Sequence, residues 1–250
     1  MDDIEFSGFE EPKDFRPPSP EPTTTEFTRI NGQKLTVHLP PKHSLWAHWL
    51  WNAGQSMTNY LDKHTGLYKD KTVLELGAAA SLPSIICAIN GGKTVISTDY
   101  PDIPLLKNIL LNAKENIPEL LDKSFFVKGY IWGRKNEHSL IQENQIVLVD
   151  ESIGQFDLIL LADLIFNHHQ HENLLQSCSD LLSKDGICLV TFSHHNPQWV
   201  DRDMAFFENA GKYGLGYEKL YEERWSPMFK DDVGNEQVRS TVYGYKLFRI

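Results

Sequence analysis

Apolar residues run along this chain in two alternating rhythms. Residues 72–76, 94–98, 124–127, 157–162 and 187–192 are short runs that are almost continuously apolar. Such runs predict strands covered on both faces, as in a parallel sheet. Between them, residues 81–89, about 102–116, 168–183 and 197–212 space their apolar positions as helices do. Pro83 falls in a first turn, where it is tolerated, and Gly91-Gly92 closes that helix. Upstream, Leu35 to Leu39 predicts a short strand stopped by Pro40-Pro41. Ser44 is then placed to cap a helix whose apolar stripe is Trp46, Trp49, Leu50, Ala53, Met57 and Leu61. Residues 216–221 and 241–248 pair most simply as an antiparallel hairpin with a long loop. Residues 134–155 are polar apart from Ile146 to Val149 and predict an insertion that carries an extra strand.

This alternation implies an α/β fold, Rossmann-like, with a mostly parallel sheet and helices on both faces. Ligands of such sheets bind at the carboxyl ends of the strands, near the point where strand order reverses. Gly77, Asp99 and Ala162-Asp163 all fall at predicted strand ends. Gly77 has no Cβ and Ala78 to Ala80 have little side chain, so a nucleoside can approach this turn closely. Asp99, 22 positions after Gly77, closes the next predicted strand, where a carboxylate accepts from ribose hydroxyls. Two cofactors compete for such a site. A dinucleotide calls for G-x-G-x-x-G against its pyrophosphate, and here only the first glycine is present. S-adenosylmethionine (AdoMet) has no phosphate and asks less of the turn. A plain strand-to-helix turn is the third reading.

Charge and composition narrow the class further. The net charge of −10 argues against non-specific nucleic-acid binding and suits a basic partner. The three cysteines, Cys87, Cys178 and Cys188, are too few and scattered for a disulfide framework. An acidic N-terminus without an apolar stretch, and no run long enough to span a bilayer, lead to the expectation of a cytoplasmic protein with no membrane partner. Residues 1–25 are rich in Pro, Glu, Asp and Thr and predict a flexible acidic tail before a domain at 26–250. Phe6, Phe9 and Phe15 could anchor that tail.

Five segments carry a resemblance to a known family: Leu45 to Gly54 (LWAHWLWNAG), Val73 to Ala80 (VLELGAAA), Ser97 to Asp102 (STDYPD), Tyr130 to Gly133 (YIWG) and Leu161 to His168 (LADLIFNH). Together they resemble the seven-β-strand methyltransferases of family 16, which modify lysines and N-termini of translation factors and chaperones. Glu11 to Pro17 and Arg224 to Phe229 also look like members of this family. The resemblance implies a seven-stranded, mostly parallel sheet with an antiparallel last strand, and AdoMet as cofactor. It implies a protein substrate, translation elongation factor 1-alpha, modified at its N-terminal glycine amine and the adjacent lysine, and a monomeric enzyme. A small-molecule methyltransferase of the nicotinamide type and a non-catalytic module that keeps the fold are the alternatives.

Under that resemblance Glu75 and Gly77 to Ala79 form the loop beneath the methionine and ribose parts of the cofactor, and Asp99 holds the ribose. Trp132 packs on the adenine, Trp46 is the family's cofactor-contacting tryptophan, and Ala162 gives clearance beside the adenosyl group. Asp163 and Phe166 match the family's D-x-x-Y/F motif. There the carboxylate orients an incoming ammonium and the aromatic ring faces a methylated cation. Asp163 as a helix cap, Asp99 as a helix cap and Trp132 as a core residue stay open. Trp49 and Trp51 are expected to be packing residues. His168, His169, His171, His194 and His195 are expected at the surface or the rim, since a metal centre would need further ligands at a recognised spacing.

Overall fold

A computed structural model describes residues 21–135, 138–142, 145–149, 154–229, 231 and 233–250. The chain opens with β1 (Thr23–Thr28) and β2 (Lys34–Leu39), paired antiparallel as a separate two-stranded sheet. Next come α1 (Asn52–Lys63), β3 (Thr72–Leu76), α2 (Leu82–Ile89), β4 (Thr94–Asp99), α3 (Ile103–Asn116) and β5 (Phe125–Tyr130). A hairpin of β6 (His138–Gln142) and β7 (Gln145–Val149) follows, then β8 (Phe156–Ala162), α4 (His171–Leu181) and β9 (Leu182–Ser193). The chain ends with α5 (Val200–Ala210), β10 (Leu215–Arg224), the short α6 (Glu236–Arg239) and β11 (Thr241–Arg249).

The main sheet has the order β10-β11-β9-β8-β3-β4-β5-β6-β7. Its centre, β9-β8-β3-β4-β5, is parallel, and β11 enters antiparallel beside β9. The mostly parallel seven-strand core with a reversed last strand is therefore present. The insertion adds two strands to it rather than one, at the β5 edge.

Strand alternation divides the core. In β8, Leu158 and Leu160 join one apolar cluster, with Val73, Ile86, Leu106, Ile109, Met57 and Leu61. Ile159 and Leu161 join the other, with Leu74, Leu76, Leu174, Leu175, Phe206 and Phe207. Each central strand thus buries both faces, which explains why it shows no polar alternation. The helices α1, α2 and α3 cover one face; α4 and α5 cover the other. The β1–β2 hairpin docks on α3 through two asparagines one turn apart. Asn112 Oδ1 accepts from His38 N at 2.7 Å and Asn116 Oδ1 from Thr36 N at 3.0 Å, while their amide nitrogens donate to the His38 and Thr36 carbonyls. These side chains complete the backbone edge of β2 as a further strand would.

Two expectations need correction. The first helix begins at Asn52, not near Ser44, because Trp46 takes a positive φ of 62° that no helix accommodates. Only Ala53, Met57 and Leu61 of the predicted stripe form its buried face. The strand β1 was not expected, and Thr23 to Thr25 within the span read as tail belong to it. Residues 1–20 of that tail, with Phe6, Phe9 and Phe15, lie outside the described residues. No described helix is long and apolar enough to cross a membrane.

Candidate active site

β3 stops at Leu76, and the chain turns at the carboxyl end of the sheet. Gly77 has φ +63°, and a Cβ there would come 2.7 Å from Leu164 Cδ2 and 3.2 Å from Trp132 Cζ2. The backbone angle favours glycine, and a Cβ would fit only if the Leu164 side chain shifted. Ala79 (φ 47°) and Ser81 (φ 62°) share the left-handed region. Hydrogen bonds hold this conformation. Ala78 N donates to Thr98 O at 2.9 Å, Ala79 N to Asp99 Oδ2 at 2.8 Å, and the Ser81 and Ser97 hydroxyls meet at 2.7 Å. The turn is built against β4, so Asp99 has a fixed place beside Gly77.

Asp99 is buried and also accepts from Tyr100 N at 2.7 Å through Oδ1. Each of its oxygens thus takes one backbone donor and keeps a second lone pair for a ligand hydroxyl. Burial pushes its carboxyl up to about 6. It does not cap a helix; Asp102 stands at the start of α3. Glu75, also buried, accepts from Ser84 N at 3.1 Å, and burial pushes it up to about 8.

Asp163 follows β8 with φ +58° and is 4 % exposed. Its N–H donates to Thr191 O at 2.8 Å, which ties it to β9. His195 Nε2 lies 2.9 Å from its Oδ1, and Ser193 N approaches the same oxygen at 3.5 Å. Its Oδ2 is buried with no hydrogen-bond partner among the described residues. A buried carboxylate oxygen left without a donor is costly. Asp163 is not a helix cap, since Gln170 precedes α4.

Trp46, Glu75, Gly77, Ala78, Ala79, Asp99, Trp132, Ala162, Asp163 and Phe166 all line one cavity of about 970 Å³ at the carboxyl ends of the central strands. Every site residue expected from the sequence is in its wall. Trp132 is partly buried against the second apolar cluster, with its ring beside the Gly77 turn. Trp49 and Trp51 line the cavity too, and both pack on Phe229.

A second cavity of about 180 Å³ shares Trp46, Trp51, Phe166 and Trp199 with the first and adds His195, Asn196, Asp203 and Phe229. Sequence reasoning missed Trp199 and Phe229, and left His195 among the rim histidines without a role. His171 and His194 are corrections: they are 6 % and 5 % exposed, not at the rim. His194 Nδ1 and His168 Nε2 hold the two oxygens of buried Asp203 at 2.7 and 2.6 Å, and His171 Nε2 lies 2.6 Å from Ile165 O. Burial lowers the His171 pKa. These three histidines brace the wall of the small cavity. No group of three or more His, Cys, Asp or Glu among the described residues is placed to hold a metal ion.

A doubly wound sheet with a reversed strand, a turn after its first central strand that keeps only the first glycine of the dinucleotide pattern, and a buried carboxylate closing the next strand are the features of the AdoMet-dependent methyltransferase class. A family model described as lysine methyltransferase matches residues 31–212, and the chain belongs to that family. It is similar to the "Protein N-terminal and lysine N-methyltransferase EFM7" of Candida glabrata, at 42 % identity over 95 % of this chain and 93 % of that protein. The protein of the same name from Schizosaccharomyces pombe is 40 % identical over 99 % of this chain and 98 % of its own length. Among solved structures, the fold is similar to TYW2 of Pyrococcus horikoshii in complex with MeSAdo (TM-score 0.54, 17 % identity, 91 % of this chain and 72 % of that one). It is also similar to a methyltransferase from Pyrococcus furiosus (TM-score 0.51, 15 % identity, 78 % and 82 % covered).

Proposed function

We propose that this enzyme transfers methyl groups from AdoMet to the N-terminal glycine amine and the adjacent lysine of translation elongation factor 1-alpha, acting in the cytoplasm as a monomer. The observation that carries the reading is Asp163, in the wall of a cavity sized for a nucleoside cofactor, with a buried Oδ2 that has no hydrogen-bond partner among the described residues. Support for the substrate class comes from two relatives of nearly equal length whose name specifies protein N-termini and lysines. The acidic chain suits a basic substrate segment.

The residues present fit AdoMet. Asp99 faces the cavity with lone pairs for two hydroxyls, Glu75 offers a carboxylate to the cationic methionine end, and Trp132 beside Gly77 gives a flat apolar wall for the base. When bound, AdoMet supplies an electrophilic methyl on a sulfonium. Asp163 receives the substrate ammonium and holds its nitrogen toward the cavity. Phe166 and its aromatic neighbours exclude water and align the amine with the reacting carbon. The nucleophile must be neutral, and its proton passes to water. An α-amine with pKa about 8 loses its proton far more readily than lysine at about 10.4.

The test is incubation of the protein with methyl-labelled AdoMet and a cell lysate. A labelled band of the elongation factor's size is expected. No such band, or transfer to free nicotinamide with no labelled protein, would overturn the proposal.

A further inference from the structure

Asp163 is held through one of its two oxygens. An ionised carboxylate accepts and does not donate, so the proton on its 2.9 Å contact with His195 sits on Nε2 and is given to Oδ1. Ser193 N approaches the same oxygen at 3.5 Å, while Oδ2 has no hydrogen-bond partner among the described residues. The imidazole is itself fixed. Its ring meets that of Trp51 at 5.1 Å and 63°, and that of Phe166 at 6.3 Å and 80°. It stands in the wall of the small cavity with its side chain 23 % exposed, so water can exchange protons with it. Other charged groups in the walls of the two cavities are engaged elsewhere. Both oxygens of Asp203 are taken by His168 and His194, and Arg202 lies over the Trp199 ring at 5.6 Å.

Resting on the reading above, we propose that His195 is a positioning residue for the substrate ammonium: its neutral imidazole pins Asp163 Oδ1 and leaves a negatively charged pair to meet the amine, and its protonation cancels that charge. The hydrogen bond fixes the plane of the carboxylate, so Oδ2 keeps one direction. With His195 neutral, the pair carries a single negative charge and complements one ammonium. With His195 protonated, the pair becomes an internal salt bridge of zero net charge, and its positive member opposes the incoming cation. An imidazole changes charge between about pH 5 and pH 8. Substrate affinity is thereby tied to the charge of one side chain that stands outside the cofactor cavity.

His195 lines the small cavity and not the large one, so changing it separates substrate from cofactor. His195→Gln keeps an N–H donor and does not titrate; His195→Ala removes the donor as well. The probe is purified elongation factor 1-alpha at saturating AdoMet, with initial rates measured from about pH 8 down to about pH 5.5. The titration of the substrate amine is common to every enzyme compared, so the ratio of their kcat/KM values isolates His195. At the upper pH, H195Q is expected to recover most of what H195A loses. Toward the lower pH, the unaltered enzyme is expected to fall roughly 10-fold relative to H195Q, as neutral imidazole is lost across its titration range. The difference is expected in KM, with kcat shared. The unaltered protein gives a second reading that needs no variant. By calorimetry with S-adenosylhomocysteine in place of AdoMet, its affinity for the same factor is expected to weaken about 10-fold over the same descent. Parallel pH profiles for the unaltered enzyme and H195Q, or an affinity of the unaltered protein that does not weaken as pH falls, overturn this inference alone. No transfer to any protein overturns the underlying reading and this inference with it.

Discussion

Replacing Asp163 by Asn changes one oxygen into an amide nitrogen and little else. Asparagine tolerates the left-handed backbone at this position (φ 58°), so the fold is expected to hold. The amide oxygen keeps the contacts with His195 and Ser193, which leaves Nδ2 where Oδ2 stood. A buried acceptor for a cation becomes a donor that opposes it. A hydrogen bond to a charged group contributes about 1.5–3 kcal/mol, and each 1.4 kcal/mol is a factor of ten, so kcat/KM for the amine substrate should fall roughly 10- to 100-fold. Initial rates against substrate concentration at saturating AdoMet measure this, with calorimetry for the cofactor and a thermal midpoint for the fold. Cofactor affinity and midpoint are expected to stay where they are. An unchanged kcat/KM would refute the role of Oδ2, and a loss traced wholly to cofactor affinity would move Asp163 to the cofactor side of the cavity.

Gly77→Ala should lower stability by about 1–2 kcal/mol from left-handed strain alone, more if Leu164 cannot move, and should weaken AdoMet binding; a thermal midpoint equal to the parent's would refute the crowding at this turn. The raised Glu75 pKa gives a pH signature in the cofactor-free protein. Its protonated form stabilises the fold fully below about 4.5, and that contribution is lost as pH rises through about 8. Glu75→Gln, which stays neutral, should therefore gain thermal stability over the parent between those pH values, and parallel midpoint curves would count against a protonated Glu75. Arg29→Ala leaves Asp62 buried without the guanidinium 2.6 Å away and should cost about 3–5 kcal/mol in urea unfolding, with transfer activity kept below the transition; a cost under 1 kcal/mol would show that the pair is screened by solvent.

The central strands were readable because burial on both faces imposes a local signature: Leu158 to Leu161 can be nothing but apolar when each neighbour serves a different cluster. Gly77 and Asp99 were readable for a related reason, since each terminates such a strand. Where the sequence misled, residues were chosen for the cavity rather than the core. Trp46, Trp49 and Leu50 fall at helical spacing, yet Trp46 is 48 % exposed and lines the site from a loop. β1 escaped notice because only Phe27 in it is buried, and its partner strand, not its own pattern, makes it a strand. His195 and Phe229 reach the site through contacts far along the chain. Asp163 and His195 are 32 positions apart, with a helix and a strand between them, and no spacing rule spans that distance. The one available signal was local: the His194-His195 pair directly follows the predicted strand ending at Phe192, on the side of the sheet where ligands bind.

Purified elongation factor 1-alpha, incubated with AdoMet and this protein and then digested for peptide mapping by mass spectrometry, tests the central claim most directly. Methyl groups should appear on the N-terminal glycine amine and the lysine next to it, and accumulate far more slowly with Asp163→Asn. Methylation confined to other residues, or none with the cofactor demonstrably bound, would contradict the account.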